Sequence, residues 1–261
     1  MGKLDDLKKN LRGLGEVAVA FSGGVDSTFL LKVAHDVLGD KVLALTAASV
    51  FIPRSELEAA KKFCEENKIR QIIFEADVLS IEGIKDNPAE RCYLCKRELF
   101  KNFLRLAEDK ILVEGSNKDD EGDYRPGMKA LAELKIKSPL REVGLYKSEI
   151  RTLSEELNLS TWNKPSMACL ASRFVYGEKL TAEKLSKVEA AEEFLSGAGF
   201  NKLRVRVHGN LARIEILPED FSKLMTERGE LVDKLKSLGF DYVTLDLQGY
   251  RVGSMNEPLK I

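Results

Sequence analysis

The chain has no apolar run long enough to cross a bilayer, and "MGKLDDLKKNLRGLGE" at its start has no apolar signal region, so a cytoplasmic protein is expected. It has almost no net charge: 41 basic residues face 42 acidic ones, giving −1. That balance supplies no global field for a phosphate backbone or a lipid surface, and no lysine- or arginine-rich extension is present. Nucleic acid and membrane are therefore not expected as partners. Cysteine is scarce: Cys64, Cys92, Cys95 and Cys169 are too few and too unevenly spaced for a disulfide framework in 261 residues. They are to be judged as thiols or metal ligands. Low-complexity sequence is absent as well, and the apolar content suffices for one large domain or two modest ones.

What is present begins with "VAVAFSGGVDSTFLLKVAHDVL". Val17 to Phe21 read as a strand buried on both faces. Phe29, Leu30, Val33, Ala34 and Val37 recur at helical spacing, so a helix follows directly. Between them lie Ser22, Gly23, Gly24, Val25, Asp26 and Ser27. Paired glycines let backbone turn tightly and approach a ligand, and a helix N-terminus offers unpaired N–H groups, so the stretch predicts an anion cradle. The plainer alternative is an ordinary turn with Asp26 or Ser27 as N-cap. The lysine and spacing of G-x-x-x-x-G-K-[ST] are missing, which disfavours a Walker-type phosphate loop. "SGGVDS" resembles instead the S-G-G-x-D-S signature of the PP-loop ATP pyrophosphatases. That resemblance implies ATP held at Ser22–Ser27, Mg2+ near Asp26, and a substrate adenylated as pyrophosphate leaves.

"KVLALTAAS", "QIIFEAD" and "ILVEGSN" are three more short apolar runs alternating with helical segments. The pattern predicts an α/β fold with a parallel sheet and helices on both faces. Ser22–Ser27, Thr46–Ser49, Glu75–Asp77 and Gly115–Asp120 would then all follow strand C-termini and face one crevice. Further on, "KSEIRTLSEELNL" reads as an amphipathic helix, and "STWNKPSMACLASRFVYGEKLT" as an irregular segment. "FLSGAGFNKLRVRVHG" and "KLKSLGFDYVTLDLQG" superimpose at an offset of forty residues, each a helix end, a glycine stop and an alternating strand, with Leu203, Val205 and Val207 matching Val243, Leu245 and Leu247. A first domain over 1–177, including the Cys169 loop, and a smaller α/β domain over 178–261 are expected, the latter with "LARIEIL" as an added strand.

"ERCYLCKRELF" puts Cys92 and Cys95 at the start of a helix beside Arg91, Lys96 and Arg97, where thiolates are favoured; buried packing cysteines are the alternative, and a thioredoxin-like redox pair fits the context less well. A structural zinc site wants a second C-x-x-C, which is missing. Cys169, flanked by small residues, is the natural third partner, and three thiolates suit a four-iron cluster with one open iron. Cys64 shares the apolar spacing of Leu57, Ala60 and Phe63 and reads as core; His35 reads as surface or packing. In "RVRVHG", Arg204, Arg206 and His208 share a face. A solvated outer face is the simpler reading, but two arginines on a rigid strand also make a bidentate phosphate clamp, which Glu215 of "ARIEIL" could meet across a hairpin.

"SGGVDS", "EGSNKDD", "RPGMKALAELKIKSPLREVGLYKSEIR", "KPSMACLASRFVYGEKLT", "RVRVHGNLARIEI" and "GYRVGSMNE" occur in the order and spacing of the LarE family, the pyridinium-3,5-biscarboxylic acid mononucleotide sulfurtransferases of nickel-pincer cofactor synthesis. The resemblance runs nearly the whole length. It implies adenylation of a substrate carboxylate by ATP, then attack by sulfur to give a thiocarboxylate and AMP, with Cys169 as the sulfur-carrying residue. Arg204, Arg206 and Glu215 become substrate-binding candidates. One form of the family sacrifices its cysteine sulfur and lacks a C-x-x-C pair. This chain has the pair and resembles the other form, in which Cys92, Cys95 and Cys169 hold a [4Fe–4S] cluster carrying an extra sulfide. A homo-oligomer and an external sulfide source are further implications. A tRNA-thiolating PP-loop enzyme is the alternative that the charge balance disfavours.

Overall fold

The computed structural model describes residues 2–121, 126–165, 168–251 and 253–259, and the chain divides into two compact units. The first comprises residues 1–77 and 90–167, the second 78–89 and 168–261.

In the first unit, α1 (Lys3–Leu14) precedes β1 (Val17–Ala20), α2 (Val25–Leu38), β2 (Val42–Ala48), α3 (Arg54–Glu66), β3 (Gln71–Glu75), α4 (Arg91–Leu106) and β4 (Ile111–Val113). Then come α5 (Pro126–Glu133), α6 (Pro139–Glu142) and α7 (Lys147–Glu156). The strands form a parallel sheet in the order β3-β2-β1-β4. Alternation along β1 sorts its residues to two cores. Val17 and Val19 pack with Phe29, Leu30 and Val33 of α2 and with Ile150 of α7, whereas Ala18 joins Leu43, Leu45, Phe100 and Phe103 on the other face. Burial of each large apolar side chain contributes roughly 1.5–3 kcal/mol, so the layers are fixed by this two-sided pattern. Because the chain runs from β1 outward to β3 and then returns to β4 beside β1, the strand order reverses between β1 and β4. Ligands of open α/β sheets bind at such a switch point, and both flanking strands end there in glycine-bearing loops.

The second unit carries α8 (Ala182–Gly197), β5 (Leu203–His208), β6 (Leu211–Ile216), α9 (Phe221–Ser237) and β7 (Tyr242–Leu245). Its sheet is ordered β5-β6-β7, antiparallel then parallel. Thr181 caps α8 by accepting from the Lys184 N–H at 3.2 Å. The forty-residue repeat is realised as α8, Gly199 and β5, then α9, Gly239 and β7, with both glycines at positive φ (+88° and +96°) where the chain leaves its helix. The second copy is shorter than the spacing predicts. β7 ends at Leu245, Asp246 accepts from the Gln248 N–H at 2.9 Å to form a turn, and Leu247 is exposed rather than paired.

The boundary also differs from a break after residue 177. The Cys169 loop belongs with the second unit because it is tied there by side chain and backbone: the Arg173 guanidinium pairs with Glu192, and the Phe174 backbone bridges Val207. The excursion 78–89 joins it through Asn87, whose Nδ2 donates to the carbonyls of Phe174 and Val175 at 3.3 and 2.7 Å, while its own carbonyl accepts from the Gly177 N–H. Among the described residues, no helix is long and apolar enough to cross a membrane.

Candidate active site

The glycine loop is held open by strand-end contacts. The Phe21 N–H donates to the Leu45 carbonyl at 2.8 Å, and Thr46 Oγ1 donates to the Phe21 carbonyl at 2.9 Å, fixing the chain as it leaves β1. Gly23 then takes φ +71°, a left-handed conformation, and a Cβ there would stand 3.3 Å from Ala60 Cβ. Gly24, not Asp26 or Ser27, is the N-cap of α2. Ser27, three residues on, folds back to the Gly24 carbonyl at 3.2 Å and meets Ser22 Oγ at 3.1 Å. Neither serine nor aspartate therefore caps the helix, and the first-turn N–H groups have no intrahelical acceptor. Gly115, after β4, closes the other side: its Cβ, if present, would lie 3.0 Å from the Ser27 nitrogen.

Asp26 stands in the first turn of α2 and is held from two directions. Lys147 Nζ, at the start of α7, makes an ion pair with its Oδ2, and Asn117 Nδ2 donates to Oδ1 at 3.2 Å. The Asn117 N–H donates to Asp120 at 2.9 Å and the Lys147 N–H to Asp119 at 2.7 Å, so "EGSNKDD" is a scaffold that positions the partners of Asp26. Lys164 supports the loop from below the turn, donating to the Gly23 carbonyl at 3.1 Å and pairing with Glu56 at 2.7 Å. Lys147, Asn117, Lys164 and Gly115 have no individual role in the sequence reading. Their signal was their position inside the long motifs, which names a segment without naming the residue.

A cleft of about 400 Å³ opens over this loop. Ser22, Gly24, Asp26 and Ser27 line it from the loop, Thr46, Glu56, Glu114, Ser116 and Asp120 add further polar groups, and Ala20, Leu57, Leu99, Phe100 and Phe103 form its apolar wall. Its size and its mixture of an apolar wall with polar groups suit a nucleotide. Thr46–Ala47 and Gly115–Asp120 contribute to it as expected, but Glu75–Asp77 does not line it, since β3 is an edge strand, two places from β1 at the switch point. Lys96 of α4 reaches the cleft, and its stem lies against Gly127 of α5, where a Cβ would come within 2.6 Å of Lys96 Cδ.

Cys92 and Cys95 sit in the first two turns of α4, on the helical stripe that continues through Lys96, Leu99, Phe100 and Phe103. Cys92 is exposed and Cys95 half-buried, and the Arg91 guanidinium lies 4.0 Å from the Cys92 sulfur. Neither is a packing cysteine. Cys64 is one: burial pushes its thiol up to about 12. The donor set fits an iron–sulfur cluster in kind, offering a helical thiol pair three residues apart and a third half-exposed thiol at Cys169. Within neither unit do three His, Cys, Asp or Glu among the described residues gather as metal ligands, and Cys169 lies in the second unit.

In that unit Cys169 precedes a short turn over Leu170–Arg173. Arg173 is fully buried, paired twice with Glu192 (3.0 and 2.9 Å), and donates to the carbonyls of Ala168 at 2.5 Å and Cys169 at 3.1 Å. It thus clamps the backbone of the cysteine loop. Arg204 and Arg206 are 8% and 5% exposed, so the strand face read as solvated is buried instead. Register explains it: Arg204 stands opposite Glu215 and Arg206 opposite Arg213. Glu215 is fully buried, takes two bonds from Arg206 at 3.0 and 2.9 Å and one from Arg213 at 3.2 Å. Burial, with Arg173 and Arg206 close by, lowers the Arg204 pKa, and burial likewise lowers that of Arg206. Such a site disfavours further positive charge and favours an anion. His208, by contrast, is exposed at the strand end.

The chain is 40% identical to the pyridinium-3,5-bisthiocarboxylic acid mononucleotide synthase of Lactiplantibacillus plantarum, over 95% of this chain and 92% of that one. The chain belongs to the LarE family. An uncharacterized protein of a Synechocystis species is 42% identical over 98% of both chains. More distantly, a glutamine-hydrolysing GMP synthase polypeptide of Thermoplasma acidophilum is 29% identical over 72% of this chain and 66% of its own length. Residues 16–87 match the family model described as queuosine biosynthesis protein QueC. That segment holds β1, the glycine loop, α2, β2, α3 and β3. The LarE-family candidates thus fall in two sets: Ser22–Ser27, Cys92 and Cys95 in the first unit, and Cys169, Arg204, Arg206 and Glu215 in the second.

Proposed function

We propose that this protein uses ATP to adenylate carboxylates of pyridinium-3,5-biscarboxylic acid mononucleotide and converts them to thiocarboxylates for nickel-pincer cofactor synthesis. The observation that carries the reading is the backbone-lined loop at the sheet's switch point, with Asp26 in the adjoining helical turn, in a chain of this family. The triphosphate lies against the α2 N-terminus, whose first-turn N–H groups and dipole favour anionic oxygens. Asp26 would hold Mg2+, which neutralises charge on phosphate oxygens when bound. Lys147 already sits on that carboxylate and is a second cation at hand for the phosphates.

The substrate carboxylate attacks the α-phosphorus, forming the acyl–adenylate bond as the bond to pyrophosphate breaks. A sulfide then attacks the acyl carbon, and AMP leaves with the electron pair of the broken C–O bond. Cys92, Cys95 and Cys169 would hold the [4Fe–4S] cluster, which supplies that sulfide when bound. Arg204 and Arg206, positioned by Glu215, take the substrate phosphate. The same reading makes the protein a cytoplasmic homo-oligomer without nucleic-acid or membrane partners, resupplied by an external sulfide source.

Two measurements test it. AMP should form only when the pyridinium mononucleotide is present, and substrate-independent AMP release, or thiolation of tRNA, would overturn the assignment. Intact-protein mass after turnover should be unchanged. A loss of roughly 34 Da, one hydrogen sulfide, with conversion of Cys169 to dehydroalanine and full activity in Cys92→Ala and Cys95→Ala, would replace the cluster by sacrificial chemistry.

A further inference from the structure

The motif "GYRVGSMNE" has no part in the chemistry above, yet in the second unit its residues meet Arg204 and Arg213 of the β5–β6 hairpin directly and Arg206 through Glu215. Gly249 brings the chain against β6: with φ +72°, it passes so close to the Ile216 carbonyl that a Cβ would lie 2.9 Å from it, and the Tyr250 N–H donates to that carbonyl at 2.8 Å. The Tyr250 ring then lies under Arg204, 5.4 Å from its guanidinium carbon. Ser254, 5% exposed, donates to Glu215 Oε1 at 2.7 Å, on the carboxylate that holds Arg206 through Oε2. Met255 presents its sulfur to Arg213 at 3.5 Å. Three outer contacts pin the segment. Tyr176 donates to Asn256 at 2.9 Å, and Arg251 bridges Asp246 and Glu257 at 3.3 and 3.1 Å.

We propose that residues 249–251 and 253–257 act as a strap that positions the hairpin arginines for the substrate phosphate, with Ser254 setting Glu215 and, through it, Arg206. The inference rests on the phosphate reading of Arg204 and Arg206. A buried carboxylate with unfilled acceptor capacity turns it on the nearest guanidinium. By donating to Oε1, Ser254 occupies part of that capacity and fixes the carboxylate plane, so Arg206, which spends Nε and Nη2 on Glu215 and one Nη1 N–H on the Ser172 carbonyl at 3.1 Å, keeps its orientation and can turn its remaining N–H groups to a second anion. Ser254 is a positioning residue in this account, and Tyr250 does the same for Arg204 from the face of its ring.

The test uses the full-length protein and two probes by calorimetry: the pyridinium biscarboxylic acid mononucleotide and the corresponding nucleoside without its phosphate. Ser254→Ala should weaken mononucleotide binding roughly fivefold, the equivalent of one lost hydrogen bond. Ser254→Thr, which keeps the hydroxyl, should restore it. Affinity for the nucleoside and the KM for ATP should not move, and Ser254→Ala should add nothing to Arg206→Ala. Tyr250→Leu, which leaves the buried carboxylate untouched, should act in the same direction and gives a second variant should the first fold poorly. If Arg206→Ala weakens the mononucleotide while Ser254→Ala and Tyr250→Leu do not, the strap has no positioning role and the phosphate reading survives. Wild-type affinity in Arg206→Ala removes the phosphate reading and the strap with it. Parallel losses for nucleoside, mononucleotide and ATP, or additivity with Arg206→Ala, would make Ser254 a folding residue only.

Discussion

The glycine loop of the first unit is built of backbone: two glycines, the first turn of a helix, and side chains no larger than serine and aspartate at its polar end. The β5–β6 hairpin of the second unit is built of side chains, with guanidinium groups held off one another by the carboxylates of half-buried Glu192 and fully buried Glu215. A backbone cradle is pre-organised by dihedral angles and by what cannot fit, so it fails when something is added. A side-chain network is pre-organised by reciprocal hydrogen bonds, so it fails when something is taken away.

The comparison breaks most visibly at Asp26, the charged side chain of an otherwise backbone-lined loop. Asp26→Ala should lower AMP formation at least roughly a hundredfold while ATP still binds, because its charge acts as pyrophosphate leaves. Near-normal AMP release from a folded, Mg2+-supplemented variant would refute it. Next in size is an addition. Gly115→Ala forces a Cβ to 3.0 Å from the Ser27 nitrogen, and overpacking of about 1–3 kcal/mol should weaken ATP binding roughly tenfold or more, without changing mononucleotide affinity. Calorimetry with each ligand separates the two.

A subtraction in the other unit should do the reverse. Arg206→Lys keeps the charge but loses the paired N–H donors, and should raise the KM for the mononucleotide by roughly tenfold with ATP affinity unchanged. Steady-state kinetics in both substrates checks it, and a selective loss of ATP binding would show that the hairpin serves the wrong ligand. The smallest effect concerns neither site. With its thiol pushed up to about 12, Cys64 should resist maleimide at pH 8 while Cys92 and Cys95 react, as peptide mapping of the folded, cluster-free protein would show. Since its folded pKa lies above the unfolded one, its contribution to stability is full below the ordinary thiol range and falls as pH climbs from there toward 12.

The same contrast sets what was legible beforehand. The cradle could be read from "SGGVDS" because dihedral needs are local, and the parallel sheet from apolar runs buried on both faces. Arg204 and Arg206 could be named, but not their burial, since what covers them comes from β6 and the C-terminal segment, remote in sequence. Lys147 and Lys164 were hidden for a like reason: a lysine reads as solvated until the chain brings it to Asp26 or to the Gly23 carbonyl. Leu247 went the other way, because the repeat implied a strand that the Asp246 turn cuts short.

The excursion 78–89 has a consequence for synthesis. Its Asn87, buried at φ +48°, leaves the ribosome well before Phe174, Val175 and Gly177, the backbone partners its side chain and carbonyl wait for. The chain passes between its two units three times, after residues 77, 89 and 167. Neither unit is thus one continuous stretch: the first cannot complete its contacts until residue 167 has emerged, and a fragment starting at residue 168 would lack the amide that ties its own Phe174–Gly177 turn. Separating the two activities calls for point variants in the whole chain rather than for dissection.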